Sequence, residues 1–335
     1  MDRKLGIAVI GLHMGYGHFK QANEHPKAEL VAVCDAQQSE VDRVVGEFPV
    51  KLATTNYDDI LKSPDVDIVS ITTPDHYHLE QTLAAFEAGK HVLVEKPMAR
   101  TVEECEQMVN AARKYNKKLM VAHVCRFYSF FADCKRWVDE GTLGNVYNIE
   151  TSYIHNYEQI PGWDGCRFDP EKRHFLIGGG CHAIDLARWL GGDIDEVSCY
   201  SNHYNIPKQQ YDDHWNLNVK FKSGAVGRIM ASDGCQRPYN IDCQVWGSKG
   251  TVEGDNTSDT FKMCLTTVQR NKWLTLPKET MAKAIASEIG HFVDCVINDT
   301  TPLIDGVDGA KTVATGWAAI ESSKTGKPVK VRNEF

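Results

Sequence analysis

The first third of the chain alternates short apolar runs with segments whose apolar positions recur every three or four residues, and it does so six times. Runs at 6–10, 30–34, 51–53, 68–72, 91–94 and 118–122 predict strands, and stretches such as 79–88 and 102–115 predict amphipathic helices between them. This alternation predicts βαβ units and a doubly wound parallel sheet, an α/β architecture. After about residue 123 the rhythm changes. Longer strand-like stretches follow at 146–155, 197–204, 216–221, 225–231, 241–246 and 261–266, divided by turn signals such as Lys222-Ser223-Gly224 and Gly247-Ser248-Lys249-Gly250. They predict a second α/β domain with an open, mostly antiparallel sheet. A helix at 181–190, stopped by Gly191-Gly192, interrupts it early. Two helices close the chain, one with Ile285, Ile289, Phe292 and Val296 on one face, the other over 309–322.

A chain of 335 residues exceeds one ordinary core and suits two domains, expected over 1–123 and 124–335. The 37 Lys+Arg against 45 Asp+Glu give a net charge of -8 with no basic stripe, which argues against a nucleic-acid partner. Eleven cysteines are scattered, with no C-x-x-C pair and an odd total. They suggest reduced thiols and neither a disulfide framework nor a structural zinc site. Asp212-Asp213-His214 reads as a solvated turn, so no metal is expected. Arg3-Lys4 and the apolar run after it mimic a signal peptide, yet no small-residue cleavage site follows. No apolar run nears the roughly 20 residues of a membrane span. A cytoplasmic protein with no membrane contact is expected. The apolar content of 225–231, on one strand of an open sheet, predicts a face that pairs with a second copy, hence a homodimer or homotetramer.

Candidate chemistry gathers beyond the predicted parallel strands, where α/β sheets bind ligands. Strand 91–94 runs into Glu95-Lys96-Pro97, which sets Lys96 at that edge, as a solvated surface charge or a functional cation. The first strand runs into Gly11-Leu12-His13-Met14-Gly15-Tyr16-Gly17, where glycine lets backbone approach a pyrophosphate. His13 stands where the G-x-G-x-x-G spacing wants glycine, so the segment reads as a dinucleotide turn or as a tight turn alone. Asp35 ends the second strand 24 residues after Gly11, the position of a carboxylate that accepts ribose hydroxyls, or of a helix cap. It would repel a 2′-phosphate, and Ala36-Gln37 offers no arginine to hold one, so NAD is expected over NADP. In Thr73-Pro74-Asp75-His76-Tyr77-His78, Thr73 can cap a helix with Pro74 at its first position, while His76 and His78 read as packing or surface groups before ligands.

These segments, with Gly178-Gly179-Gly180-Cys181-His182-Ala183-Ile184-Asp185, occur in the order of the glucose–fructose oxidoreductase / inositol dehydrogenase / MocA family, which the chain resembles over essentially its whole length. The resemblance implies an NAD(P)-binding Rossmann domain and a C-terminal α/β domain whose open sheet serves substrate binding and oligomer contacts. It implies oxidation or reduction of a secondary alcohol on a sugar, inositol or derivative, and a Lys96–Pro97 bond that is often cis. Cofactor contacts are implied at Gly11, His13, Met14 and Gly15, at Asp35, at Thr73, Pro74, Asp75 and His78, and at Glu95, Lys96 and Arg126. Substrate contacts are implied at Lys96, Arg126 and His182. The segment 153–174 is rich in groups that suit a polyol, among them Tyr153, His155, Trp163, Arg167 and His174, although the same composition suits an ordinary exposed loop.

Gly178 to Gly180 let backbone pass close to a ligand, and His182 follows on the first helical turn with Asp185 on the same face. Oxidising a secondary alcohol removes a hydride and a proton, and neutral imidazole, with an unperturbed pKa near about 6.5, suits the proton. We expect His182 as general base and Lys96 as stabiliser of the alkoxide; His182 reads otherwise as a helix-terminal histidine held by backbone. The family often carries aspartate where Gly178 stands, which leaves Asp185, Asp164 or Asp169 to orient the imidazole. The expectation is an NAD-dependent dehydrogenase of a carbohydrate or cyclitol. One rival is redox-enabled glycosidic elimination, which needs a second acid/base such as Tyr153 or His155. The other is a non-catalytic NAD-sensing regulator, against which Lys96 and His182 together speak.

Overall fold

Runs such as Ile7-Ala8-Val9-Ile10 and Val92-Leu93-Val94 have no polar side to turn to water, so they make strands only where both sheet faces are covered. In the structure, a computed structural model that describes residues 3–158, 168–268, 271–278 and 284–335, these residues are at most 2% exposed. They belong to β1 (Leu5–Ile10) and β5 (His91–Glu95), in a sheet with β2 (Ala28–Cys34), β3 (Leu52–Thr54), β4 (Ile68–Ile71) and β6 (Leu119–Ala122). The order is β3-β2-β1-β4-β5-β6, every pair parallel. Helices α1 (Tyr16–Ala22), α2 (Gln38–Glu47), α3 (Tyr57–Lys62), α4 (His78–Glu87) and α5 (Val102–Tyr115) make the crossovers. Local chemistry sets their ends: the Thr101 side chain accepts the Glu104 N–H at 3.1 Å to start α5, and Asn116, at φ 51°, stops it. Strand order reverses between β1 and β4, the switch point at which such sheets take ligands.

The second unit begins with α6 (Ser129–Asp139), which the sequence pattern does not predict, and β7 (Val146–Ile154). After α7 (Phe175–Gly178) and α8 (Cys181–Gly191) come β8 (Ile194–Asn202), β9 (His214–Phe221), β10 (Val226–Ser232), β11 (Asn240–Gly247), β12 (Gly250–Asp255), β13 (Thr260–Leu265) and β14 (Leu274–Pro277). With β15 (Val329–Lys330) they form one sheet, β14-β13-β12-β11-β7-β10-β9-β8-β15, in which only the β7–β10 pair is parallel. Helix α8 covers one face against β7, β10 and β11. On β9, Trp215, Leu217, Val219 and Phe221 are buried while Asn216, Asn218 and Lys220 alternate outward. The same alternation turns Ala225, Ile229 and Ala231 inward. The other face carries Val226, the ion pair Arg228–Glu150 and the pair Lys220–Glu196 at 2.9 Å. The Asp212-Asp213-His214 turn is also internal business, since the buried Asp213 carboxylate accepts the N–H groups of Tyr204, Asn205 and Ile206.

The units are Met1–Val124 with Lys283–Ala310 and Phe335, and Cys125–Ala282 with Lys311–Glu334. The stretch 283–310, expected with the second domain, therefore groups with the first. Its helix α9 (Ala284–Ile297) packs on α1 with Ile289 and Phe292 buried. Further on, the Ile304 carbonyl accepts the Val121 N–H at 3.0 Å and Asp305 bridges Met120, which covers β6, otherwise an open sheet edge. Helix α10 (Gly306–Thr325) follows. No helix among the described residues is long and apolar enough to cross a membrane.

One buried ion pair anchors α8. Arg126 donates from Nε to Asp185 Oδ2 at 2.9 Å and from Nη2 to Oδ1 at 2.7 Å, with both side chains at most 3% exposed. Removing one charge strands the other in a low-dielectric core. Asp185→Asn should therefore cost about 3–5 kcal/mol of stability, seen as a lower urea midpoint at unchanged slope. The double replacement Arg126→Met with Asp185→Leu should cost less than either single change. A double variant as unstable as the sum of the singles would show that the pair is not acting as a unit.

Candidate active site

In the first unit the β1 turn is squeezed against β4. Gly11 sits at φ +88°, and a Cβ there would meet the Thr72 and Thr73 backbone at 2.8 Å; at Gly15 one would meet Thr72 Oγ1 and Val9 at 2.7 Å. The Thr72 hydroxyl reaches the carbonyl oxygens of Ile10 and Gly11, at 2.9 and 2.5 Å. His13 and Met14 are exposed at the tip. The Asp35 carboxylate accepts Leu12 N–H at 2.7 Å and Gln37 N–H at 2.9 Å, binding the end of β2 to this turn. Helix α2 itself is capped at Gln37, so Asp35 is not its cap. This cradle, closed to any Cβ and edged by a carboxylate, fits a dinucleotide. The sequence reading missed Arg43, which donates to the Leu12 carbonyl at 3.2 Å and to Glu40 at 2.7 Å.

Thr73 does not cap a helix: its hydroxyl goes to Gln81 Oε1 at 2.6 Å, and the short turn of Asp75–Tyr77 starts from Pro74, whose carbonyl accepts the Tyr77 N–H at 2.9 Å. Pro74 is exposed and Asp75 buried. His78, expected to touch the cofactor, is fully buried with Nδ1 2.9 Å from the Pro97 carbonyl oxygen and Nε2 2.9 Å from that of Thr73. It is engaged by the protein. Lys96 is half-buried, and the Lys96–Pro97 bond is cis. Glu95 beside it accepts the Lys96 N–H at 3.1 Å and meets His18 Nε2 at 3.1 Å. Burial would push the Glu95 carboxyl up, but the His18 hydrogen bond and the Lys96 charge outweigh it and draw it from 4.5 down to about 2. Its stabilising contribution is thus complete above the ordinary carboxylate range and lost only as pH falls toward about 2.

In the second unit, His182 is the second residue of α8 and 5% exposed. Its ring stacks on Tyr153 with centroids 5.3 Å apart, and Nδ1 lies 3.5 Å from Cys125 Sγ. The Tyr153 hydroxyl meets Tyr157 Oη at 3.0 Å and His155 Nδ1 at 3.4 Å, and Tyr239 stands edge-on to Tyr153 and tilted over His155. Burial, then the neighbouring tyrosines, push the Tyr153 hydroxyl well above its usual range, so it stays a neutral phenol. Cys125 and Tyr239 carry no sequence signal; only the fold brings Cys125 to His182 and Tyr239 to Tyr153.

Several expected roles change here. The three glycines make close approaches to the protein itself: a Cβ would meet the Arg173 guanidinium from Gly178, Phe175 and Tyr157 from Gly179, and Leu176 from Gly180. Where the family often has aspartate, Arg173 lies against Gly178 and donates to its carbonyl at 2.7 Å. Asp185 and Arg126, expected to orient the imidazole and to contact cofactor or substrate, are joined to each other. Asp169 accepts the Glu171 N–H at 3.0 Å within its own turn. His174 caps α7 by accepting the Leu176 N–H, stacked on Tyr211, and burial lowers its pKa to about 3. Trp163, Arg167 and Asp164 lie outside the described residues.

Residues 5–123 match the oxidoreductase family GFO_IDH_MocA, NAD-binding Rossmann fold, and residues 131–253 match the GFO/IDH/MocA C-terminal domain. The chain is similar to scyllo-inositol 2-dehydrogenase (NAD(+)) of Bacillus subtilis, 27% identical over 99% of this chain and 97% of the relative. It is similar to myo-inositol 2-dehydrogenase of Thermotoga maritima, 26% identical over 97% of this chain and 98% of the relative. A solved levoglucosan dehydrogenase in complex with NADH shares the fold, with a TM-score of 0.92 at 24% identity over 99% of this chain and 100% of that one. With an NAD-binding Rossmann unit, a matching C-terminal domain and relatives along its whole length, the chain belongs to the Gfo/Idh/MocA oxidoreductases and is an NAD-dependent dehydrogenase of CH–OH donors.

Proposed function

We propose that the protein interconverts a secondary hydroxyl and a ketone on a cyclitol or carbohydrate, with His182 as general base and Lys96 as stabiliser of the alkoxide. The observation that carries this is the surroundings of His182, an imidazole stacked on Tyr153, which in turn adjoins His155, Tyr157 and Tyr239. Such a cluster offers ring faces to C–H surfaces and hydroxyl or imidazole groups to a polyol rim. The names of the relatives, inositol 2-dehydrogenases and levoglucosan dehydrogenase, support the same substrate class.

Bound NAD supplies the hydride acceptor. The His182 imidazole takes the hydroxyl proton, a task closed to Tyr153 because its phenol stays protonated. The Lys96 ammonium group holds the oxygen as negative charge develops on it. The test is nicotinamide absorbance with scyllo-inositol, myo-inositol, levoglucosan and a set of aldoses. Reduction of NAD with at least one is expected, and silence with all would sink the reading. Lys96→Ala and His182→Ala should each lower kcat by roughly 10²- to 10⁴-fold while NAD affinity stays within a few fold. The rise of kcat/KM with pH must vanish in His182→Ala.

Cofactor choice follows from Asp35, which accepts ribose hydroxyls and repels a 2′-phosphate, while nearby Arg43 is already paired with Glu40. Calorimetry should show tighter binding of NAD than of NADP, and Asp35→Ala should narrow the gap. Equal or tighter NADP binding would mean that Asp35 faces away from the ribose.

A second reading is favoured by Tyr153, a neutral proton donor stacked on the imidazole. A transient ketone at one carbon would acidify the adjacent C–H and allow elimination of a glycosidic group. Nitrophenol release from a nitrophenyl glycoside, dependent on NAD but without its net reduction, would reveal it; a glycoside left intact would exclude it.

A further inference from the structure

Ser70, His18 and Glu95 form a buried line that the proposed chemistry does not use. His18, on α1, is 2% exposed and Ser70, on β4, is 1% exposed. The His18 Nε2–H donates to Glu95 Oε1 at 3.1 Å, which leaves Nδ1 to accept from the Ser70 hydroxyl at 2.8 Å. The three side chains have the composition of a hydrolytic triad, yet a serine sealed in the sheet can meet no acyl group, so a nucleophilic role is ruled out. What the line does reach is Glu95, and Glu95 adjoins Lys96.

We propose that His18 is a positioning residue for Lys96, acting through the Glu95 carboxylate. Both Glu95 oxygens are committed, Oε1 to His18 and Oε2 to the Lys96 backbone N–H. A carboxylate held at both ends cannot swing onto the ammonium group of the next residue and neutralise it. Without His18, Oε1 loses its donor, and closing onto the ammonium becomes the way to recover that bond. The low pKa of the Glu95 carboxyl agrees, since His18 and Lys96 are the groups that draw it down. The line also begins close to the cofactor turn: His18 lies three residues after Gly15, which caps α1. A histidine one turn into this helix thus joins the backbone of the cofactor cradle to the lysine.

The inference rests on the role given to Lys96 above, and the experiment separates the two. With NAD and the best substrate of the panel, His18→Leu should lower kcat by roughly 10- to 100-fold, with NAD affinity within about twofold of the parent. His18→Gln, whose amide can still donate to Glu95, should recover most of the loss. In a Lys96→Ala background, His18→Leu should cost less than about twofold more. An equal loss in both backgrounds would overturn the inference, because His18 would then act without Lys96. Should Lys96→Ala itself retain parental kcat, the role of Lys96 fails first and the inference falls with it. His18→Met, close to the imidazole in size and without a donor for Glu95, runs through the same cycle if His18→Leu does not fold. A readout independent of turnover is the ¹³C resonance of the Glu95 carboxyl, identified by its loss in Glu95→Gln. It should titrate at about 2 in the parent, higher in His18→Leu, and close to the parent in His18→Gln. An unmoved titration in His18→Leu overturns the inference whatever Lys96 does.

Discussion

The tight crossing of the β1 turn over Thr72 is the constraint on which the first unit depends. With no room for a Cβ at Gly11 or Gly15, backbone rather than side chain faces the switch point, and α1 must leave from that spot. From that departure follow the burial of His18 beside Ser70 and the bracing of Glu95. His78 braces the other side by reaching both the Thr73 and Pro97 carbonyls. A half-buried lysine is thereby carried on a tripeptide fixed at each neighbour, and the same strand ends that make the cofactor cradle make its mounting.

The second unit answers a different demand, that of placing charged and titratable groups inside apolar surroundings. Arg126 and Asp185 satisfy each other through two parallel bonds, the arrangement that offsets desolvation best. The His182 ring is stacked on Tyr153, and burial pushes the Tyr153 and Tyr239 hydroxyls well above their usual range. Packing alone requires the three glycines before it, since Arg173, Phe175, Tyr157 and Leu176 occupy the volume their side chains would need.

Legibility in the sequence tracked the range of the interaction. The parallel strands were readable because a strand covered on both faces must be apolar throughout, and α5 because its cap and stop are local. Strand β12, Gly-Thr-Val-Glu-Gly-Asp, was not: two glycines and two acids give it little strand propensity, and only its neighbours β11 and β13 hold it extended. The apolar residues of 225–231 are visible in the sequence, but that Ala225, Ile229 and Ala231 face inward while Val226 faces outward is a matter of sheet register. For the site, motif residues were found, yet the partners that determine what they do were not. Nothing in spacing couples Arg126 to Asp185, His18 to Glu95 or Cys125 to His182, because each pair is separated by more than fifty residues.

The return of residues 283–310 to the first unit bears on how the protein is made. Strand β6 emerges early in synthesis, yet the segment that covers its edge, and the helix that packs on α1, lie near the far end of the chain. A nascent chain thus carries an uncovered parallel sheet through the translation of roughly 180 further residues, from Ala122 to Ile304, at about 5–20 residues per second. For that interval, a matter of tens of seconds at the slower rate, β6 is an open edge able to recruit a wrong strand. Overproduction of this protein should be limited by what protects that edge before the chain is finished.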